Sequence, residues 1–163
     1  MTLHVEIQFA LDDADLVRLP DVEKLSHWAR AVFDALEKSF VGEPQMTLRL
    51  VEEAEIVQLN RDYRHKDMPT NVLSFPFEVP QGLPASECNS ELGDVVICAP
   101  VVQREAGQQS KTEESHWAHM VVHGTLHLLG YDHITDAEAV QMESLEIQVL
   151  VGLGFTNPYA GSA

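Results

Sequence analysis

Hydrophobic and polar positions alternate with a period of two in two short stretches of the chain and recur with a helical period in four others. Leu3, Val5, Ile7 and Phe9 alternate with polar neighbours, which predicts a strand over 3–9. After Pro20, the residues Val22, Leu25, Trp28, Val32, Leu36 and Phe40 recur at steps of three and four, so 21–40 is expected to be an amphipathic helix ended by Gly42 and Pro44. Residues 46–51 alternate again and predict a second strand. A short helix follows with Ile56, Leu59 and Tyr63 on one side, and Pro69 stops it. Residues 71–77 predict a third strand, placed at an edge or a bulge by Pro76, and 94–98 a fourth. Between them, 80–92 carries Pro80, Gly82, Pro84 and Ser86 and reads as a loop, long for a compact domain.

From residue 100 the pattern is helical. Ser110 with Glu113, and Thr135 with Glu138, both fit the capping box, in which a hydroxyl and a carboxylate three residues apart satisfy each other's backbone N–H. They predict helices at about 111–129 and 136–152, the second with Met142, Leu145, Val149 and Leu153 at steps of three and four. Neither repeats nor an internal linker interrupt the chain. The pattern is that of one α/β domain with a helical C-terminal third.

Composition adds bounds. A chain of 163 residues, 45% hydrophobic, can build a core without cross-links. Cys88 and Cys98 make neither a disulfide framework nor a Cys-rich zinc site. The N-terminus lacks the pattern of a signal peptide, and no apolar run reaches the ~18 residues of a membrane span. The expectation is a cytoplasmic protein with no membrane partner. Charge changes the picture more. Ten Lys and Arg against 26 Asp and Glu give −16 at pH 7, which argues against strong non-specific binding to nucleic acid or anionic membrane. It leaves room for a focused site.

Five of the eight histidines lie between 116 and 133. His123 and His127 are four apart, so on a helix both leave one face about one turn from each other and can ligate one ion. His119 and His127 would stand ~12 Å apart along the axis, so a third ligand must come from outside the helix. Gly130 is placed to end the helix in a left-handed turn, and Tyr131-Asp132 then bring His133 back. The run from His123 to His133 has the skeleton of the metzincin zinc sites, and three histidines match a catalytic zinc with one open position. His116 and His119 read as supporting or surface histidines. Asp132 either orients an imidazole or caps the turn. One departure bears on the chemistry: zinc peptidases of the H-E-x-x-H type place a Glu base after the first His, and here that position is Gly124.

All Lys and Arg precede residue 112, and the densest group is Arg61, Arg64 and Lys66. Arginine suits phosphate recognition, although such a trio is ordinarily a solvated helix end.

Three blocks carry a resemblance: 123–133, read His-Gly-Thr-Leu-His-Leu-Leu-Gly-Tyr-Asp-His; 59–64 followed by 69–76; and 92–97. Together they resemble the YbeY family of bacterial endoribonucleases over about 46 to 155, the first block being the most specific. The resemblance implies a single-domain, metal-dependent, single-strand-specific endoribonuclease. It implies rRNA maturation, chiefly at the 3′ end of small-subunit rRNA, and ribosome quality control, with rRNA and the small ribosomal subunit and its proteins as partners and no DNA. It also implies one zinc ion held by His123, His127 and His133, with Arg64 as the functional arginine. In that mechanism the zinc acidifies water and polarises a phosphoryl oxygen, while Arg64 holds the non-bridging oxygens. The expected fold is α/β (α+β): a small mixed four-stranded sheet packed with helices, with a zincin-like metal-binding helix near the C-terminus. One domain would span 1–163, with a flexible tail at about 156–163. Two rivals stand beside this reading: a metallopeptidase, opposed by Gly124, and a non-catalytic ribosome-assembly factor with a structural zinc closed by a fourth ligand such as His119 or Asp94. The acidic balance then predicts weak, salt-sensitive binding to free RNA.

Overall fold

The computed structural model of the chain describes residues 3–12, 18–36, 43–78, 81–82 and 90–160. The elements among them are β1 (His4–Ala10), α1 (Val22–Leu36), β2 (Gln45–Val51), α2 (Glu53–Arg64), β3 (Val72–Pro76), β4 (Glu91–Cys98), α3 (Ala99–Gln108), α4 (Glu113–Leu128) and α5 (Asp136–Gly152). The four strands form one mixed sheet in the order β1-β2-β4-β3. β1, β2 and β4 run parallel, and β3 closes the edge antiparallel to β4. An edge place for β3 is what Pro76, with no N–H to donate, allows.

Strand alternation gives the sheet two different faces. Register aligns Ile7, Leu48, Val95 and Ser74 in one row across all four strands. This face packs on α1, α4 and α5 around Leu25, Trp28, Trp117, Leu126 and Met142, the larger core. On the other face Val51, Leu73, Val96 and Cys98 pack with Ile56 of α2 and Val101 of α3 in a smaller cluster. Ser74 is the polar end of its row, and its hydroxyl donates to the Gly124 carbonyl of α4 at 2.8 Å. The helix sits so close there that a Cβ on Gly124 would stand 2.5 Å from Val95 Cγ1 and 3.0 Å from Val72 Cγ2.

Several boundaries differ from the sequence expectations. Val22 opens α1 but is 49% exposed, and the expected continuation to Phe40 and Gly42 lies outside the described residues, as does most of the 80–92 loop. β4 begins at Glu91, earlier than expected. α2 ends at Arg64 because His65 adopts a left-handed φ of 58°, with its N–H bonded to the Arg61 carbonyl; Pro69 comes too late to be the stop. Tyr63, read on one helix side with Ile56 and Leu59, packs against Phe75 of β3 but is 66% exposed. The cap of α4 is Thr112, whose hydroxyl accepts from the Ser115 N–H, and Ser110 instead takes a φ of 55° in the turn that closes α3. The capping box at Thr135 is present with both of its hydrogen bonds.

After α5 the chain returns to the core. The Phe155 ring packs edge-on to Trp28 with centroids 6.0 Å apart. Tyr159, within the segment expected as a tail, reaches back to donate its hydroxyl to Glu146 of α5.

Candidate metal centre

Helix α4 lies between the sheet and α1, α5, so nearly every side of it is buried and its polar residues must find partners inside. Its histidines follow one side. His116 and His119 are buried, whereas His123 and His127 are partly open to a cleft at the helix's C-terminal end. The helix stops as its sequence suggests. Gly130 takes a φ of 100°, its N–H bonds the His127 carbonyl, and the Tyr131 N–H bonds the Leu126 carbonyl, the two bonds of a Schellman turn. Asp132 Oδ1 then accepts the His133 N–H at 2.8 Å, which fixes the returning chain. Asp132 Oδ1 also lies 4.0 Å from His127 Nδ1, too far for a hydrogen bond, so its contact role is the turn.

The three rings converge. Centroid separations are 4.6 Å for His123–His127, 5.1 Å for His127–His133 and 5.9 Å for His123–His133. One nitrogen from each lies within 4.8 Å of the other two. His123 Nε2 and His127 Nε2 face each other at 3.1 Å. Two ligands at 2.0–2.1 Å on a tetrahedral ion would be about 3.3 Å apart, so these side chains fit one zinc-sized cation. The protonation of the rings agrees. His123 Nδ1 donates to the Glu146 carboxylate, which leaves Nε2 as the atom that faces His127. Burial, then repulsion from His123 and His133, lowers the pKa of His127 against the pull of Asp132 and the Tyr131 backbone. A ring neutral at pH 7 is one ready to ligate.

Behind His123 stands a feature absent from the sequence expectations. Glu146 is fully buried. One oxygen accepts from His123 Nδ1; the other accepts from the Tyr159 hydroxyl and lies 3.3 Å from His119 Nε2. Burial alone would push its pKa up, but the hydrogen bonds from His119, His123 and Tyr159 and the His123 charge outweigh it and hold it down at about 2. Tyr159 is pushed well up, by burial first and then by its hydrogen bond to Glu146 and the Glu146 charge. A signal was available: Glu146 interrupts the apolar stripe of α5 between Met142 and Val149. His116 serves elsewhere, with Nε2 2.9 Å from Glu105 Oε1; Glu105 in turn accepts from Asn71 Nδ2 at 3.1 Å, steadying the cleft wall. Burial lowers the pKa of His116 more than Glu105 raises it.

The cleft has a volume of about 620 Å³ and is lined by the three histidines, by Ser74 and Pro76 of β3, and by Arg64 at the end of α2. The four residues singled out from the sequence thus meet in one place. Arg64 is exposed and makes no ion pair among the described residues, whereas Arg61 is held by Asp67 at 2.8 Å and stays outside the cleft lining. Asn60, buried, donates to the Met68 carbonyl at 2.9 Å and ties down the turn that presents Arg64. Neither Asp94 nor His119 joins the three-histidine group: Asp94 lines a cleft on the opposite sheet face, and His119 turns to Glu146.

The sequence model of the family described as Endoribonuclease YbeY matches residues 11–154. The chain is 54% identical over 156 residues to Endoribonuclease YbeY of Alcanivorax borkumensis, a match that covers 96% of this chain and 86% of that one. Among solved structures it is similar to the solution structure of TM1509 from Thermotoga maritima, at a TM-score of 0.54 and 23% identity over 92% of this chain and 91% of that one, a likeness of fold.

Proposed function

The chain belongs to the Endoribonuclease YbeY family, and from that premise we propose that it is a zinc-dependent endoribonuclease that cuts single-stranded rRNA during maturation of the small ribosomal subunit, in the cytoplasm. The observation that supports the assignment of roles is the meeting, in one cleft, of three convergent imidazoles and an arginine without an ion pair among the described residues. His123, His127 and His133 would hold the ion, leaving one side open. When bound, zinc supplies Lewis acidity toward water and toward a phosphoryl oxygen. Arg64 grips the non-bridging oxygens of the scissile phosphate and offsets the charge that grows on them. Glu146, charged and enclosed, fixes the His123 ring with its proton on Nδ1 and its lone pair toward the ion. Arg64 is the one Lys or Arg in the cleft lining among the described residues, so free RNA binds weakly and specificity falls to the ribosome and its proteins. None of the described helices is long and apolar enough to cross a membrane.

The peptidase rival lacks a base where that chemistry needs one, and the packing at Gly124 leaves no room to supply it. Incubation with single-stranded RNA, duplex RNA and casein separates the readings. Only the single strand should be cut, with activity lost to a chelator and restored by zinc. Casein cleavage, or RNA cleavage indifferent to the chelator, would refute the proposal.

Glu146→Gln keeps the size of the side chain and removes its charge. Competition against a chromophoric chelator should show zinc affinity about 10- to 100-fold weaker, with the circular dichroism of the metal-free protein unchanged. Unaltered affinity would remove Glu146 from the metal site.

A further inference from the structure

On the opposite face of the sheet edge from the histidines lies a second cleft, of about 590 Å³, whose wall includes Tyr63 and Phe75. Tyr63 is 66% exposed, a large aromatic surface left in water. Its orientation is nonetheless set. The ring meets Phe75 edge-to-face, centroids 5.1 Å apart at 67°, and Phe75 is anchored in the smaller core. A ring held from one side with a face in water is a stacking platform whose ordering cost is already met.

Its neighbours give it a direction. Arg64, the next residue, reaches round the edge of β3 into the histidine cleft, while Tyr63 stays on the near face. Ser74 and Pro76 line both clefts, so the two are continuous across the edge strand. Charge then decides which part of a nucleotide can enter. The second cleft holds Glu78 and Asp94, and its arginine, Arg49, is taken by Glu55 through two bonds of 2.6 and 2.9 Å. A phosphate is repelled there, and an uncharged base is not.

We propose that Tyr63, backed by Phe75, is a base-stacking subsite for an unpaired nucleobase of the RNA strand whose phosphate is held at Arg64. The proposal rests on the ribonuclease reading and adds the basis for single-strand preference. A base must leave its duplex to lie flat on an aromatic ring, and ring stacking accepts any base.

The test is a cycle between protein and substrate. Cleavage kinetics are read on a short single-stranded RNA and on a set in which one base at a time is replaced by an abasic residue. With the unaltered protein, an abasic residue at one position near the cut should raise KM about 10- to 100-fold. Tyr63→Ala should show a rise of that size on the intact RNA, no further rise when that base is missing, and unchanged zinc content and kcat. Tyr63→Phe, which keeps the ring, should behave as the unaltered protein. Two losses that multiply, a Tyr63→Ala variant with unaltered KM, or a Tyr63→Phe variant as impaired as Tyr63→Ala would overturn the subsite; an unaltered KM would leave the aromatic pair as a surface for a protein. Failure of the unaltered protein to cut any RNA would overturn the ribonuclease reading itself, and the subsite with it.

Discussion

Replacing His127 with Ala is expected to strip the protein of metal and of RNA cleavage together while leaving the fold standing. Three imidazoles would share the ion, so each would carry a large part of the binding. Zinc sites with four protein ligands reach about 10–16 kcal/mol, or roughly 3 kcal/mol per ligand and a factor of about 10²–10³ in affinity for each one lost. The fold should not suffer. His127 is at the open end of α4, partly exposed, and its Nε2 faces another imidazole nitrogen at 3.1 Å. Metal content after gel filtration, thermal melting of the metal-free protein and cleavage of single-stranded RNA check the three parts. A metal-free variant that still cut RNA at the parental rate would end the mechanism.

Arg64→Ala should do the reverse of half of this: keep the zinc and lose the cleavage. The side chain makes no hydrogen bond to the three imidazoles among the described residues and is exposed, so ion binding and stability have no reason to change. Removing a donor aimed at developing charge in such a site costs about 10²–10³ in kcat. Arg64→Lys should recover only part of it, since a point charge replaces a planar fork that spans two oxygens. Single-turnover cleavage with zinc content measured on the same samples checks the separation. Zinc lost along with cleavage would make Arg64 a structural residue.

What could be read from the chain beforehand was local. The 123/127 pair and the return to His133 depend on one helical turn and one glycine, and the sequence states both. Pro76 announced an edge strand for a reason internal to proline. Long-range partners were hidden. Nothing near Glu146 in sequence says that His123, from another helix, waits for its carboxylate, or that Tyr159 closes it from the far side. The stripe through Ile56, Leu59 and Tyr63 identifies a helix face but not how much of it the sheet covers, and Tyr63 is left mostly exposed. The cap at Thr112 was missed because Ser110 matches the same template two residues earlier, and only the turn closing α3 decides between them. Likewise the basic trio at 61–66 looked uniform, and it is the ion pair with Asp67 that takes Arg61 out and leaves Arg64 in.

The contact at Gly124 bears on how this scaffold can change over time. Its histidine skeleton differs from a zinc peptidase's at the residue after the first ligand, and one exchange there would seem enough to convert it. But that position is where α4 rests on β3 and β4, and even a methyl group would meet the branched, rotationally stiff Val95 at 2.5 Å. Any acquired base would first have to lift the helix, and the helix carries two of the three convergent histidines. The scaffold is therefore insulated from that chemistry: a step toward the new activity damages the metal site both activities would need.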